Sequence, residues 1–460
     1  MKKINFILLS ALMLSGTVIA EELKKPIEKL KASKLDDGTI HGYVRLHHIF
    51  DGESNGFDKN TGSTVGLGLK YGQMIGKHLS IGGELYGVTE TGFHNTDKSV
   101  AYGQLLGRDK RENGSGYTSG VHMTFKDLPG KSKISWAKSQ FKSPLTKIQI
   151  THVPNLYEYV RADTGILGGN LSLSFITDMA YGSRGATDFG LIGEFTKTGG
   201  MGVSPFSESP ISLKRGEYVN IGYTIQGAED TSGIAVFGYE RKIGNLKVNL
   251  WDFKAENILN NLYVEADYKI KLGKGKAVVL SGQYLNQTID DAGLNAGGNS
   301  YGGAFYGIKA KLKYNKLVLK AAYNKKDDEG GFYNIWGANP GYTSSIFSRN
   351  EYRDNVSAYK GTVVYNFAKN LKVMVSYANY GQSEMVLNGK LKNLAKTPYR
   401  LTSNTDATET DMAIIYKPRK NLMLKLFNAN RTSEFDGAVG AGKTFQKNQN
   451  HTRLIANYSF

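Results

Sequence analysis

The final ten residues, His451-Thr-Arg-Leu-Ile-Ala-Asn-Tyr-Ser-Phe460, constrain the fold more than any other stretch of this chain. Thr452, Leu454, Ala456, Tyr458 and Phe460 fall on one face, and His451, Arg453, Ile455, Asn457 and Ser459 on the other. A period of two predicts a strand. The first face ends in aromatics, and no polar tail follows. A strand that must close a sheet on itself and seat aromatics at a membrane interface has this form. The ending therefore predicts a transmembrane antiparallel β-barrel of the bacterial outer membrane.

The other end of the chain agrees. Met1-Lys2-Lys3 precedes an apolar run from Ile4 to Ile19, then Ala20 and Glu21. A charged start, an apolar core and a small residue at the cleavage point predict a signal peptide over 1–20 and export from the cytoplasm. Residues 21–38 carry Pro26 and five lysines against five acids, and are expected to form a periplasmic tail. No later apolar run approaches the roughly 18 residues a spanning helix needs. With 55 Gly, 28 Tyr and 20 Phe but only 9 Pro, the composition suits a large alternating sheet with tight turns. Cys is absent, although export would permit disulfides. The formal net charge is +17, and about +15 once Lys2 and Lys3 are removed with the signal. An exported protein has little access to nucleic acid, so none is expected as a partner. A basic pore wall, or basic loops against anionic outer-membrane lipids, accounts for the excess better.

From residue 39 to 460 alternating segments of about ten residues recur, the length of a tilted membrane strand. In Thr39–Phe50, Ile40, Val44 and Leu46 oppose His41, Tyr43, Arg45 and His47. Further on, Tyr306, Ile308, Ala310 and Leu312 oppose Lys309, Lys311 and Lys313. Short links such as 273–275 and 368–370 alternate with long ones at 89–115, 181–216, 288–300, 326–355, 382–407 and 431–450. Short turns are expected in the periplasm and long, solvated loops outside. Nineteen candidate strands can be counted, but both ends should be periplasmic and the number even. Glu217–Gln226 is the expected intruder, part of an external loop, which leaves about 18 strands. Twenty would require a further strand near Asp188–Thr196.

Several stretches resemble the OprD-like (Opr-family) porins of the epsilonproteobacterial kind. They are Val153-Pro-Asn-Leu-Tyr-Glu-Tyr159 with Leu171–Ala180, Gly244–Phe253 with Asn257–Tyr268, Leu319–Asn324, and Thr452–Phe460. The resemblance covers nearly the whole mature chain, through an ordered set of stretches rather than one motif. It implies an eighteen-stranded barrel, assembly into trimers, and passive diffusion of small hydrophilic solutes and ions. It also implies an external loop folded into the pore near 141–155. There the chain departs from many relatives, which carry Asp-Asp-Ile-Arg; this one reads Lys147-Ile-Gln-Ile-Thr-His152. The constriction charge is therefore not carried over.

No catalytic cluster, cofactor or metal site is expected, and the chain is read as a non-enzyme. Lys325-Lys-Asp-Asp-Glu329 lacks the spacing of a calcium loop and reads as solvated. The candidate residues are those of a pore wall. At the seam between first and last strands, Arg45 and Arg453 should lie at similar heights, with His47 and His451 just above and Lys70 beside them. Tyr157, Arg161 and Asp163 follow the constriction loop. Lys309, Lys311, Lys313 and Lys320 are candidate pore cations. Such a wall predicts a modest anion preference at low salt. An adhesin or structural barrel, and an outer-membrane enzyme, are the alternatives; an ohmic channel in a planar bilayer separates a pore from either.

Overall fold

The computed structural model describes residues 38–51, 60–93, 115–146, 152–180, 218–221, 231–290, 301–332, 338–384, 406–439 and 443–460. The expected signal peptide and residues 21–37 of the tail lie outside them, as does the stretch 188–196. The strands are β1 (Thr39–Asp51), β2 (Asn60–Ile75), β3 (Leu79–Glu90), β4 (Ser115–Leu128), β5 (Ser132–Ser139), β6 (Leu156–Ile166) and β7 (Gly169–Ala180). There follow a two-residue β8 (Val219–Asn220), β9 (Ile234–Ile243), β10 (Leu246–Ala255), β11 (Leu259–Gly273), β12 (Lys276–Ile289) and β13 (Gly303–Tyr314). The last are β14 (Leu317–Lys326), β15 (Ser357–Ala368), β16 (Leu371–Tyr380), β17 (Asp406–Arg419), β18 (Leu422–Val439) and β19 (Lys443–Ser459).

Each long strand pairs antiparallel with its sequence neighbours, and β1 pairs with both β2 and β19. β7 pairs directly with β9, while β8 adds only Val219 and Asn220 opposite Met179 and Asp178. The result is a closed barrel of eighteen strands, with β8 as the extra segment expected within Glu217–Gln226. Closure leaves no sheet edge, which is how a β-structure satisfies its backbone in lipid.

Alternation sorts the two faces. Ile308 is 64% exposed, Val160 51% and Leu173 50%. Apolar side chains this open around a whole barrel require an apolar solvent, and place the barrel in an outer membrane. No helix among the described residues is long and apolar enough to cross a membrane; the crossing is made by strands.

One expected loop proves to be strand. β18 and β19 extend to Val439 and from Lys443, so most of 431–450 continues the sheet beyond the belt. Short turns are tight: Gly244 and Asn315 adopt φ of 57° and 51°, the left-handed conformation such hairpins need. At the seam, the Gly42 N–H donates to the Phe460 carbonyl at 2.9 Å and the Phe460 N–H returns to Gly42 at 3.0 Å. A Cβ on Gly42 would meet the Phe460 ring at 2.5 Å, so only glycine seats the terminal aromatic there.

Candidate functional site: the inner wall and its inward loops

Residues opposite in parity to the outward belt line the interior. On β13 these are Lys309, Lys311 and Lys313; Lys320, Lys360 and Lys372 follow on β14, β15 and β16. Register places Lys311 directly opposite Lys320, and sets Lys309 and Lys360 on either side of Ala322. The charged groups bearing on Lys320 are Lys311, Lys309, Lys360 and Lys372, all of its own sign. Like charges facing across adjacent strands cost roughly 0.2–1 kcal/mol per pair. A patch retained against that cost presents positive potential to the interior. Two of these lysines have carboxylates near them: Lys360 has Asp411 at 3.5 Å, and Glu265 and Asp267 bear on Lys309.

The wall from β1 to β7 is organised differently. Lys70 meets Glu84 at 2.8 Å, and the Tyr86 hydroxyl donates to the same carboxylate at 2.6 Å. Arg161 grips Asp163 through Nε at 3.0 Å and a terminal nitrogen at 2.8 Å, and Lys133 adds a second cation at 3.5 Å. Tyr157 is buried beneath the Phe141 ring, 6.4 Å between centroids, rather than open to the pore.

The seam corrects one expectation. Arg45 and Arg453 share the inner face but not a height. Arg45 lies opposite Asn457, donating to its side-chain oxygen at 2.8 Å, whereas Arg453 lies opposite Ile49. Four residues separate the rows, about 13 Å along the strand. His47 faces Ile455 and packs on His152, with ring centroids 4.2 Å apart; His451 faces Asp51 and lies 5.7 Å from the Phe347 ring. Lys70 lies opposite His41, lower on the wall. The closing register of a barrel follows from its global stagger, which no local pattern encodes.

Two segments enter the interior. Phe141 packs edge-on against Tyr159 on β6 and Phe253 on β10, at 5.0 and 6.2 Å. At the far end of the same segment, the Tyr43 hydroxyl donates to the His152 carbonyl, and Thr64 Oγ1 lies 2.8 Å from His152 Nε2. Its two described ends thus sit on well-separated walls; residues 147–151 lie outside the described ones.

The second segment was not anticipated, because 326–355 reads as a solvated external loop. Its described residues touch inward-facing groups from β11 to β19. The Tyr342 hydroxyl donates to Glu265 at 2.8 Å, and Gln283 donates to the Pro340 carbonyl at 3.0 Å. Glu409 accepts the backbone N–H groups of Phe347 and Ser348, both at 2.8 Å. Tyr342 lies under the Lys309 ammonium, 3.7 Å from ring centroid to nitrogen. Glu351 is fully buried and accepts from the Ser344 hydroxyl; burial raises its carboxyl above the usual range. Burial lowers the Arg353 guanidinium to about 9, and it donates to the Gly381 carbonyl at 2.7 Å. The available signal was six aromatics between 332 and 352, far too many for a loop in water. Lys326 and Asp327 pair with each other, and the Ala304 N–H also donates to Asp327 at 2.5 Å, so that acidic run closes the loop base.

One Gly-x-Ser-x-Gly string is present, Gly298-Asn-Ser-Tyr-Gly302, a motif that serves as a nucleophile elbow between strand and helix. Here it leads into β13, and Tyr301 bridges Gly331 instead. Among the described residues no group of three or more His, Cys, Asp or Glu side chains is placed to hold a metal.

No family model and no curated protein matches the sequence. Solved structures do match the fold. OccK9 (OpdG) of Pseudomonas aeruginosa is similar with a TM-score of 0.68 and 16% identity, over 93% of this chain and 99% of that one. The outer membrane protein OpdK of Pseudomonas aeruginosa gives 0.64 at 12% identity, over 92% and 99%. OccAB2 of Acinetobacter baumannii gives 0.64 at 14%, over 93% and 99%. Across nearly its full length, this chain therefore has the OprD-like, Occ-type fold of an eighteen-stranded outer-membrane barrel.

Proposed function

We propose that this chain is a porin: a passive path for small hydrophilic solutes, with a preference for anions, and no enzyme. The observation that carries the reading is a closed barrel whose inner face bears Lys311 and Lys320 side by side, the charges that bear on Lys320 being lysines. A focused positive potential raises the local concentration of anions and steers them inward. The carboxylates on the facing walls are already engaged: Glu84 by Lys70, Asp163 by Arg161, Glu409 by backbone N–H groups. The inward residues 141–146, 152–155 and 338–350 act as the constriction, narrowing the path through the barrel. OpdK, which shares the fold, is solved with vanillate, a carboxylate, and this favours small organic anions as the solute class. The N-terminal signal and tail, the trimer and the narrower epsilonproteobacterial kinship belong to the same reading. They rest on the quoted sequence stretches.

Planar-bilayer recording tests it. The expected result is an ohmic channel whose reversal potential in a low-salt gradient has the sign of anion preference. A barrel that folds but never conducts would sink the porin reading; clear cation selectivity would sink the role given to the lysines.

A further inference from the structure

The positive excess of this chain is concentrated at one end of the barrel and on one side of it. Five successive short turns join β9 to β10, β11 to β12, β13 to β14, β15 to β16 and β17 to β18. No Asp or Glu occurs in the stretches 241–251, 268–281, 306–326, 360–374 and 412–433 that form these turns and their flanks. Basic residues occur in every one: Lys242, Lys274, Lys316, Lys369 and Lys420 all stand exposed. On the other half of the rim the picture changes. The β2–β3 turn carries the single Lys77, the β4–β5 turn mixes Asp127 with Lys126 and Lys131, and the stretch 164–177 around the β6–β7 turn carries no charge at all.

The lysine arc coincides with outward-facing aromatics. Tyr268, Tyr314, Tyr365, Phe367 and Tyr416 are exposed on strands of four of the five hairpins, from β11–β12 to β17–β18, just above the turns. Aromatics in such a band lie at the level of lipid headgroups. The lysines are joined to them: the Lys276 ammonium lies 4.5 Å from the Tyr314 ring centroid, and Lys316 donates to the Phe367 carbonyl at 3.3 Å. Ammonium groups held at headgroup height, around an outer wall, are placed to meet lipid phosphates.

We propose that the arc of turns from β9–β10 to β17–β18 is a binding surface for anionic phospholipid headgroups of the periplasmic leaflet. The inference rests on the outer-membrane reading, which sets the short turns on the periplasmic side. Two alternatives have the same charge chemistry. An acidic cell-wall polymer would meet the tips but not the aromatic band, and free phosphate would need no membrane at all. The link between lysines and aromatics favours the lipid.

The test uses the whole folded barrel in phosphatidylcholine vesicles doped with spin-labelled phosphatidylglycerol or spin-labelled phosphatidylcholine. The expected outcome is about fivefold enrichment of the anionic probe around the protein at low salt, falling towards one in concentrated salt. A variant with Lys274→Gln, Lys276→Gln, Lys316→Gln, Lys369→Gln and Lys420→Gln loses that enrichment, whereas Lys77→Gln with Lys131→Gln on the other half keeps it. Equal association of both probes with the wild type, or enrichment unchanged in the five-site variant, overturns the proposal. Displacement by inorganic phosphate beyond that caused by chloride of equal ionic strength overturns it in favour of a free-anion site. Sedimentation with cell-wall sacculi, lost in the five-site variant and accompanied by no lipid preference, overturns it in favour of the polymer. Conductance recorded on the same preparations reads the pore separately. A conducting barrel without lipid preference breaks this inference alone, and a non-conducting barrel with it breaks the porin reading alone.

Discussion

The walls β1–β7 and β13–β16 carry cations in similar style, on alternate residues facing inward, yet use them differently. On the first, Lys70 and Arg161 are each held by a carboxylate that is itself almost buried, Glu84 at 6% and Asp163 at 4% exposure. On the second, Lys311 and Lys320 face each other, and the charges bearing on Lys320 are lysines. A paired cation is part of the scaffold: its field is largely cancelled at short range, and its loss is felt as stability. An unpaired one contributes field. The formal charge of +17 does not distinguish the two uses; register does.

The sharpest way to break the contrast is to reverse the unpaired pair. Lys311→Glu with Lys320→Glu should invert the sign of the reversal potential, making the channel cation-preferring, while the barrel still folds. Persistent anion selectivity would show that the field originates elsewhere. Next in size is Glu409→Ala, which releases the backbone N–H groups of Phe347 and Ser348. Bonds to a charged acceptor contribute about 1.5–3 kcal/mol each, so the inward segment should loosen and single-channel current become larger and noisier. A quiet, unaltered trace would mean the segment is held by its aromatics alone.

On the paired wall, Glu84→Gln should lower thermal stability by about 1–3 kcal/mol, because it leaves Lys70 and Tyr86 with a weaker acceptor. Selectivity should shift only slightly towards anions. A shift as large as that of the Lys311 and Lys320 variant would erase the distinction between the walls. Smallest is Arg45→Gln: the variant keeps an amide donor for Asn457 and gives up the charge assistance and the stacking over Tyr43, so the cost should be about 1–2 kcal/mol and conductance should hardly change. A collapse of folding yield would give the seam side chains a weight that backbone pairing alone does not explain.

The strands were legible because each crosses from lipid to water every second residue. Tyr306, Ile308, Ala310 and Leu312 against Lys309, Lys311 and Lys313 leaves no ambiguity about which face is which. The same alternation gave the inward direction of Lys320, while the sequence of short and long links, with both ends on one side, exposed 217–226 as surplus. Heights were not legible. Arg45 and Arg453 could be assigned a face but not a row, since a slip of four residues preserves every face. The inward path of 338–350 was hidden for another reason. The interior of a pore is wet, so a segment that enters it keeps the Gly, Ser and Asn content of one that stays outside. Only its excess of aromatics, Phe332, Tyr342, Phe347 and Tyr352 among them, betrays contact with a wall.

The seat that Gly42 makes for Phe460 has a consequence in time. Arg45 and Asn457 touch across a separation of 412 positions, so the closing contact is among the most distant the chain can make. Until it forms, β1 and β19 both present bare hydrogen-bonding edges to whatever lies nearby. Loop closure over such a span is slow compared with hairpin formation along the way. Hairpins are therefore expected to accumulate first and the ring to shut last. During that interval the chain needs an escort that covers its edges, or it will pair with its neighbours instead.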